Sequence, residues 1–243
     1  MKLLRNAAFL LMLVPFSWAC QSGSQDTTEA EDQAKITQVA DTEAEWEILF
    51  DGSNLDHWRN YLADDLSDRW QIEDGTLTLV GKGGGDIITQ KQYESFELQL
   101  DWKISECGNS GIFFHVAEHD TLSRVYHSGP EVQILDNTCH PDAKIPNHRA
   151  GDNYDLHPVS EETVKPAGEW NSVRLIVDKG HVEHWLNGKK VVEYELGSPE
   201  WEALYQKSKF AKWPMYGRAG KGHIALQDHG DKVWFRDIKI KEL

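Results

Sequence analysis

The sequence predicts an all-β domain, a β-sandwich or jelly roll with one short helix, on three observations. Short runs rich in β-branched and aromatic residues recur along residues 45–243, separated by turn residues. Two of the turns, Asp74-Gly75 and Asn187-Gly188, suit the positive φ angles of tight hairpins. Only residues 199–211 show helical spacing, and no repeat period or heptad is present.

The chain opens with Lys2 and Arg5, an apolar run over residues 7–16, then Ser17-Trp18-Ala19-Cys20. A positive segment, an apolar core and a small residue before a cysteine read as a secretory signal over 1–19, with Cys20 as the lipid-carrying first residue of a bacterial lipoprotein. The run is too short for a permanent membrane span. Ser17 stands where an aliphatic residue is usual, and simple cleavage after Ala19 is the alternative. Residues 20–44 are rich in Ser, Thr, Gln, Asp and Glu, so they cannot offset the entropy of ordering and read as a flexible tether. Residues 45–243 read as one domain. The expected location is the bacterial cell envelope, lipid-anchored, periplasmic or at the cell surface, with the membrane met only through the anchor.

Within the domain, 70–73 and 76–80 form a hairpin signal across Asp74-Gly75. Further strands are expected at 96–104, 111–116, 131–135, 172–177, 181–186, 189–194, 223–227 and 233–240, with Asn187-Gly188 as a second hairpin. The helix over 199–211 places Trp201, Leu204, Tyr205 and Ser208 near helical spacing, with Pro199 in its first turn.

Removing Lys2 and Arg5 with the leader takes the formal charge from −15 to −17. Such a chain repels nucleic acid, and a neutral ligand fits it better. Of three cysteines, Cys107 and Cys139 remain once Cys20 is set aside. One precedes the strand at Gly111 and the other follows the strand at Glu131, so antiparallel pairing of those strands brings them together as a disulfide. Two separate buried thiols are the alternative.

Chemistry concentrates in a few segments. In Gly129-Pro130-Glu131-Val132-Gln133-Ile134-Leu135-Asp136-Asn137, alternation sends Glu131, Gln133 and Leu135 to one face and Val132, Ile134 and Asp136 to the other. An ionised Glu amid apolar neighbours is costly to bury unpaired, which favours a wet cleft or a specific partner; a solvent-facing Glu-Gln pair on a half-exposed strand is the alternative. Cys107-Gly108-Asn109-Ser110-Gly111 permits close backbone approach to a strand or ligand, though an ordinary turn reads the same way. Lys82-Gly83-Gly84-Gly85-Asp86 lacks the Lys-Ser/Thr and helix of a phosphate loop. It reads as a flexible loop whose Asp86 reaches a sugar hydroxyl if it overhangs a cleft.

Eleven histidines include no His-Glu-x-x-His, and there is no Cys-x-x-Cys, so a zinc site is not supported. His184 shares a face with Val182 and Leu186, as a hydrogen-bonded core histidine or as an acid or base. Alternation over 223–229 groups His223, Ala225, Gln227 and His229, with Gln227 suited to a sugar hydroxyl and His229 near a rim. Arg174 shares a face with Ile176 and needs solvent or an acidic partner, for which Glu131 is the candidate. Most of the ten tryptophans belong in a core, while any on a cleft offer flat faces for a pyranose.

Six segments in order, 46–58, 108–113, 130–136, 165–171, 184–188 and 222–230, closely resemble the 3-keto-disaccharide hydrolase domain family over essentially all of 45–243. The resemblance implies a concanavalin-like jelly roll whose concave sheet binds sugar, acting on glycosides oxidised at C3 by a separate dehydrogenase. It implies Glu131 or His184 as base, with the other as acid or as ligand of an optional divalent metal ion. Asn109, Gln133, Arg174 and Gln227 orient the sugar or polarise the ketone. Glu131, Gln133, His184 and Gln227 are therefore expected in one cleft. A non-catalytic, lectin-like glycan-binding module is the competing function, since the fold alone does not dictate catalysis.

Overall fold

The computed structural model describes residues 45–243, which form two antiparallel sheets enclosing a common core. In chain order the strands are β1 (Glu47–Phe50), β2 (Trp58–Asn60), β3 (Trp70–Glu73), β4 (Thr76–Leu79), β5 (Ile87–Thr89), β6 (Phe96–Ile104), β7 (Asn109–Val116), β8 (Glu131–Leu135), β9 (Asn171–Asp178), β10 (His181–Leu186), β11 (Lys189–Glu195), β12 (His223–Leu226) and β13 (Val233–Glu242). Among the described residues one α-helix, α1 (Pro199–Tyr205), lies between β11 and β12. Eight strands form one sheet in the order β11-β10-β9-β6-β13-β4-β3, with β1 beside β13. The other sheet runs β2-β5-β12-β7-β8.

The long strands alternate as their sequences require. Phe96, Leu98, Leu100, Trp102 and Ile104 of β6 and Val233 and Phe235 of β13 are buried, and they join Ile112 and Phe114 of β7 and Val132 and Ile134 of β8 in one core. Each such side chain contributes about 1.5–3 kcal/mol on leaving water. A second, smaller cluster of Ile88, Phe113, Val116, Val125 and Ala225 covers the other face of the five-stranded sheet. That sheet is thus buried on both sides, which is why every residue of β7, β8 and β12 is buried, polar ones included.

The hairpins follow their turn chemistry. Asp74 and Gly75 have φ of 48° and 73°, Asn187 and Gly188 of 51° and 80°, the doubly positive pattern of a tight two-residue turn. The helix is shorter than expected. Ser198 caps it through its Oγ, which accepts the Trp201 N–H at 3.1 Å, and Pro199 opens it. It ends at Tyr205 because Ser208 bonds back to the Tyr205 carbonyl and caps a separate 3-10 turn at Lys209–Lys212. The glycine-rich segment is tied down instead of loose: the Asp228 carboxylate accepts the N–H groups of Gly83 and Gly85, each at 2.9 Å.

Cys107 and Cys139 are joined as a disulfide, with Cα atoms 4.7 Å apart across 32 residues of sequence. β7 and β8 pair antiparallel, as that expectation required. The expected signal segment, tether and Cys20 lie outside the described residues.

Candidate active site

The side chains that matter stand in rows across the five-stranded sheet. Ile88, Ala225, Phe113 and Glu131 face one another on four successive strands. In the next row Gln133 stands opposite Gly111, whose carbonyl accepts the Gln227 N–H at 3.0 Å. Gly111 has a steric reason to be glycine: a Cβ there would collide with the Glu131 carboxyl group. Removing that one side chain opens the space into which Glu131 leans.

The result is a cavity of about 210 Å³ lined by Asn109, Tyr126, Glu131, Gln133, Tyr154, Lys209, Gln227 and His229. Its floor carries neutral amides. The Gln133 Nε2 approaches the Asn109 Oδ1 at 3.4 Å, while the Oε1 atoms of Gln133 and Gln227 are buried with no hydrogen-bond partner among the described residues. Buried amides without partners lose about 1–3 kcal/mol of solvation, so each gains by meeting a ligand hydroxyl. The aromatic walls are Tyr126 and Tyr154; no tryptophan lines this cavity.

Glu131 is 5 % exposed, and burial pushes its carboxyl up to about 8, against the opposing pull of the Lys209 ammonium and with further upward pushes from Asp86 and Asp142. Asp86 stands beyond Gln227 at the edge of this surface, outside the cavity lining. Burial raises Asp86 to about 6, while its Oδ1 accepts the Asp228 N–H at 3.0 Å. His229 is on the exposed rim.

Three lining residues had no signal in the sequence. Tyr154 comes from the irregular segment 136–160, where its N–H donates to the Glu131 carbonyl at 3.1 Å and its hydroxyl donates to Asp142 Oδ2 at 3.2 Å. Lys209 comes from the 3-10 turn after the helix, and Tyr126 from the turn at Val125–His127. None lies on a periodic element, so alternation could not place them. Only their arrival beside Glu131 in the folded chain reveals them.

The structure separates His184 and Arg174 from this site. His184 belongs to β10 in the eight-stranded sheet, is 1 % exposed, and lies with Val182 and Leu186 in the core. Its Nδ1–H donates to the Gly151 carbonyl at 3.0 Å, and burial pushes the imidazole down to about 4, so it is neutral. It is a hydrogen-bonded core histidine that cannot join Glu131 as acid, base or fellow metal ligand. Arg174 lies on β9 with its Nε 2.6 Å from Glu97 Oε1 and its guanidinium over the Trp185 ring at 5.3 Å. Its acidic partner is Glu97, not Glu131. Among the described residues, the metal-type clusters are Cys107–Asp136–Cys139, whose sulfurs are bonded together, and His181–Glu183–Glu193, where Lys190 already contacts both carboxylates. Neither includes Glu131.

Residues 45–241 match the family described as the 3-keto-α-glucoside-1,2-lyase-like domain. A 3-keto-disaccharide hydrolase of Bacteroides thetaiotaomicron is 40% identical over 224 residues, covering 80% of this chain and 77% of that protein. A crystal structure from Parabacteroides distasonis, described provisionally as a glycosyl hydrolase, is similar with a TM-score of 0.76 and 35% identity over 82% of this chain and 94% of that one. A galectin-like protein of unknown function from Bacillus subtilis has a TM-score of 0.55 at 18% identity, over 82% and 94% of the two chains, a likeness of fold alone.

Proposed function

Because this chain belongs to the 3-keto-α-glucoside-1,2-lyase-like domain family, we propose that its cavity cleaves 3-keto-glycosides, with Glu131 as the group that takes the C2 proton. A ketone at C3 acidifies the proton on C2. Once a base removes it, the electron pair expels the glycosidic oxygen from C1, and water adds to the resulting enone. The cavity supplies one buried carboxyl group and neutral amides at Asn109, Gln133 and Gln227 to hold hydroxyls. The observation that carries the reading is Glu131 itself, buried, held near neutrality by burial, and opening onto a sugar-sized space.

The keto-sugar is supplied, in this reading, by a separate enzyme that oxidises the C3 hydroxyl. The leader-like start of the chain and Cys20 support a lipid-anchored place at the bacterial cell envelope.

Glu131→Gln tests the assignment, since it removes proton transfer at nearly constant volume. Turnover of a chromogenic 3-keto-α-glucoside should fall on the order of 10²–10⁴-fold, with the fold retained by circular dichroism. A Glu131→Gln protein that turns over like the wild type removes Glu131 from the chemistry.

A further inference from the structure

Proton removal at C2 places negative charge on the C3 oxygen, and none of the cavity groups described so far brings a positive charge to balance it. Asn109, Gln133 and Gln227 are neutral, and Arg174, the cation the sequence offered, is on the other sheet. Among the described residues lining the cavity, Lys209 carries the one ammonium or guanidinium group.

Its position is set by several contacts. The Lys209 N–H donates to Asp155 Oδ2 at 2.7 Å, and its ammonium lies 4.1 Å from the centre of the Tyr154 ring and 5.1 Å from that of Phe210. Tyr154 is in turn bonded through its N–H to the carbonyl of Glu131. The ring beneath the ammonium is thus registered to the residue that bears the carboxyl base. Among the described residues, no carboxylate oxygen comes within 4.0 Å of the Lys209 ammonium. A separated pair is what the chemistry needs, because C2, C3 and the ketone oxygen must fit between base and cation. Two groups already in contact would have no room for them.

Resting on the reading that this cavity cleaves 3-keto-glycosides, we propose that the Lys209 ammonium holds the substrate's C3 carbonyl oxygen and balances the charge that gathers there as Glu131 takes the C2 proton. In the first step the C2–H bond breaks, the proton passes to the Glu131 carboxylate, a C2–C3 double bond forms, and the carbonyl π pair moves onto oxygen beside the ammonium. In the second the carbonyl reforms, C1–C2 becomes double, and the C1–O bond breaks with its pair leaving on the glycosidic oxygen, which takes a proton from water as the Glu131 carboxyl group returns its own proton to solvent. Lys209 keeps its own protons throughout and acts by hydrogen bond and charge. Burial pushes the Lys209 ammonium down while the carboxyl groups of Glu131, Asp155 and Asp142 pull it back up; the proposed role needs the charged form that those carboxyl groups favour, whereas imine formation would need the neutral amine.

The test measures wild type, Lys209→Met and Lys209→Arg on a 3-keto-α-glucoside and on the same compound deuterated at C2. Losing one oxyanion donor costs about 10²–10³-fold in kcat, so Lys209→Met should lose that much with KM little changed. Its isotope effect should grow as proton abstraction becomes fully rate-limiting. Lys209→Arg should recover part of the loss, and both variants should melt like wild type because the residue is on the rim. A Lys209→Met enzyme as fast as wild type, or a loss confined to KM, overturns the proposal. So does a substrate adduct on Lys209 trapped by borohydride, which would show the amine acting covalently. Wild-type protein that leaves the 3-keto-glycoside intact overturns the parent reading and this one together, a pattern distinct from wild type and Lys209→Met cleaving alike.

Discussion

Glu131 is asked to do two things that oppose each other. Its carboxyl is pushed up to about 8 by burial, so in the folded protein it prefers to be neutral, whereas proton abstraction requires it charged. A carboxyl raised in the folded state contributes stability that is complete below its unfolded pKa, near 4.5, and is lost as pH rises through about 8. The two consequences run in opposite directions with pH. On the acid side, kcat/KM for a 3-keto-α-glucoside should climb with pH through the region near 8. Over the same range, wild-type stability should fall relative to Glu131→Gln. The two proteins should melt together at pH 4 and separate by pH 9, with the glutamine variant higher by about 2–4 °C for each kcal/mol of carboxylate desolvation. A rate profile flat from pH 6 to 9, or equal melting throughout, contradicts the assignment. His184 is the converse case. Replacing it with Ala leaves the Gly151 carbonyl without its donor and opens a hole among Val182, Leu186 and Tyr194, at a cost of about 2–4 kcal/mol. Denaturant titration should show that loss, while turnover per folded molecule stays at the wild-type level; a variant equally stable but inactive would return His184 to the chemistry.

At the scale of elements, the cavity depends on how an irregular segment is fastened to a regular one. The disulfide joins Cys107, two residues ahead of Asn109, to Cys139, at the start of the segment that carries Tyr154. Closing a loop of this length removes about 3–4 kcal/mol of unfolded-state entropy in the chain-entropy model. Reduced protein should therefore melt lower, and protein denatured without reductant should show no titratable thiol from Cys107 or Cys139. The elements themselves were largely readable: period-two alternation located β3, β4 and β6 to β13, and Asp-Gly and Asn-Gly located their hairpins. β1, β2 and β5 were not, because runs of three or four residues are too short to show a period. The site was half readable for a related reason. Glu131, Gln133, Gln227 and Asn109 sit on or beside strands whose faces can be counted. Lys209, Tyr154 and Tyr126 arrive from turns, where nothing local says which way a side chain goes. His184 was misplaced because alternation names a face but not a sheet, and only long-range pairing decides that β10 joins β9 and not β8.

For the whole molecule, the two sheets divide the work. The eight-stranded sheet spends its outer face on ion pairs such as Arg174–Glu97 and Arg236–Asp101, and its inner face on the core. The five-stranded sheet is covered on both faces, yet leaves one opening with a single carboxyl group in its lining. That count decides what the protein can cleave. An ordinary glycosidase places two carboxyl groups across the scissile bond, about 5–9.5 Å apart, one to protonate the leaving oxygen and one to assist attack at C1. Asp86 and Asp142, the carboxyl groups whose charges reach Glu131, both lie outside the lining: Asp86 accepts a backbone N–H from Asp228 and Asp142 accepts the Tyr154 hydroxyl. One base suffices only if the substrate brings its own activation, and a ketone at C3 does so by lowering the acidity barrier at C2. The protein should therefore release the leaving group from a 3-keto-α-glucoside and leave the unoxidised glucoside intact, a contrast one chromogenic pair measures directly. Equal cleavage of both would require a second carboxyl group that this cavity does not present, and binding of both without cleavage would mark the opening as a lectin-like site.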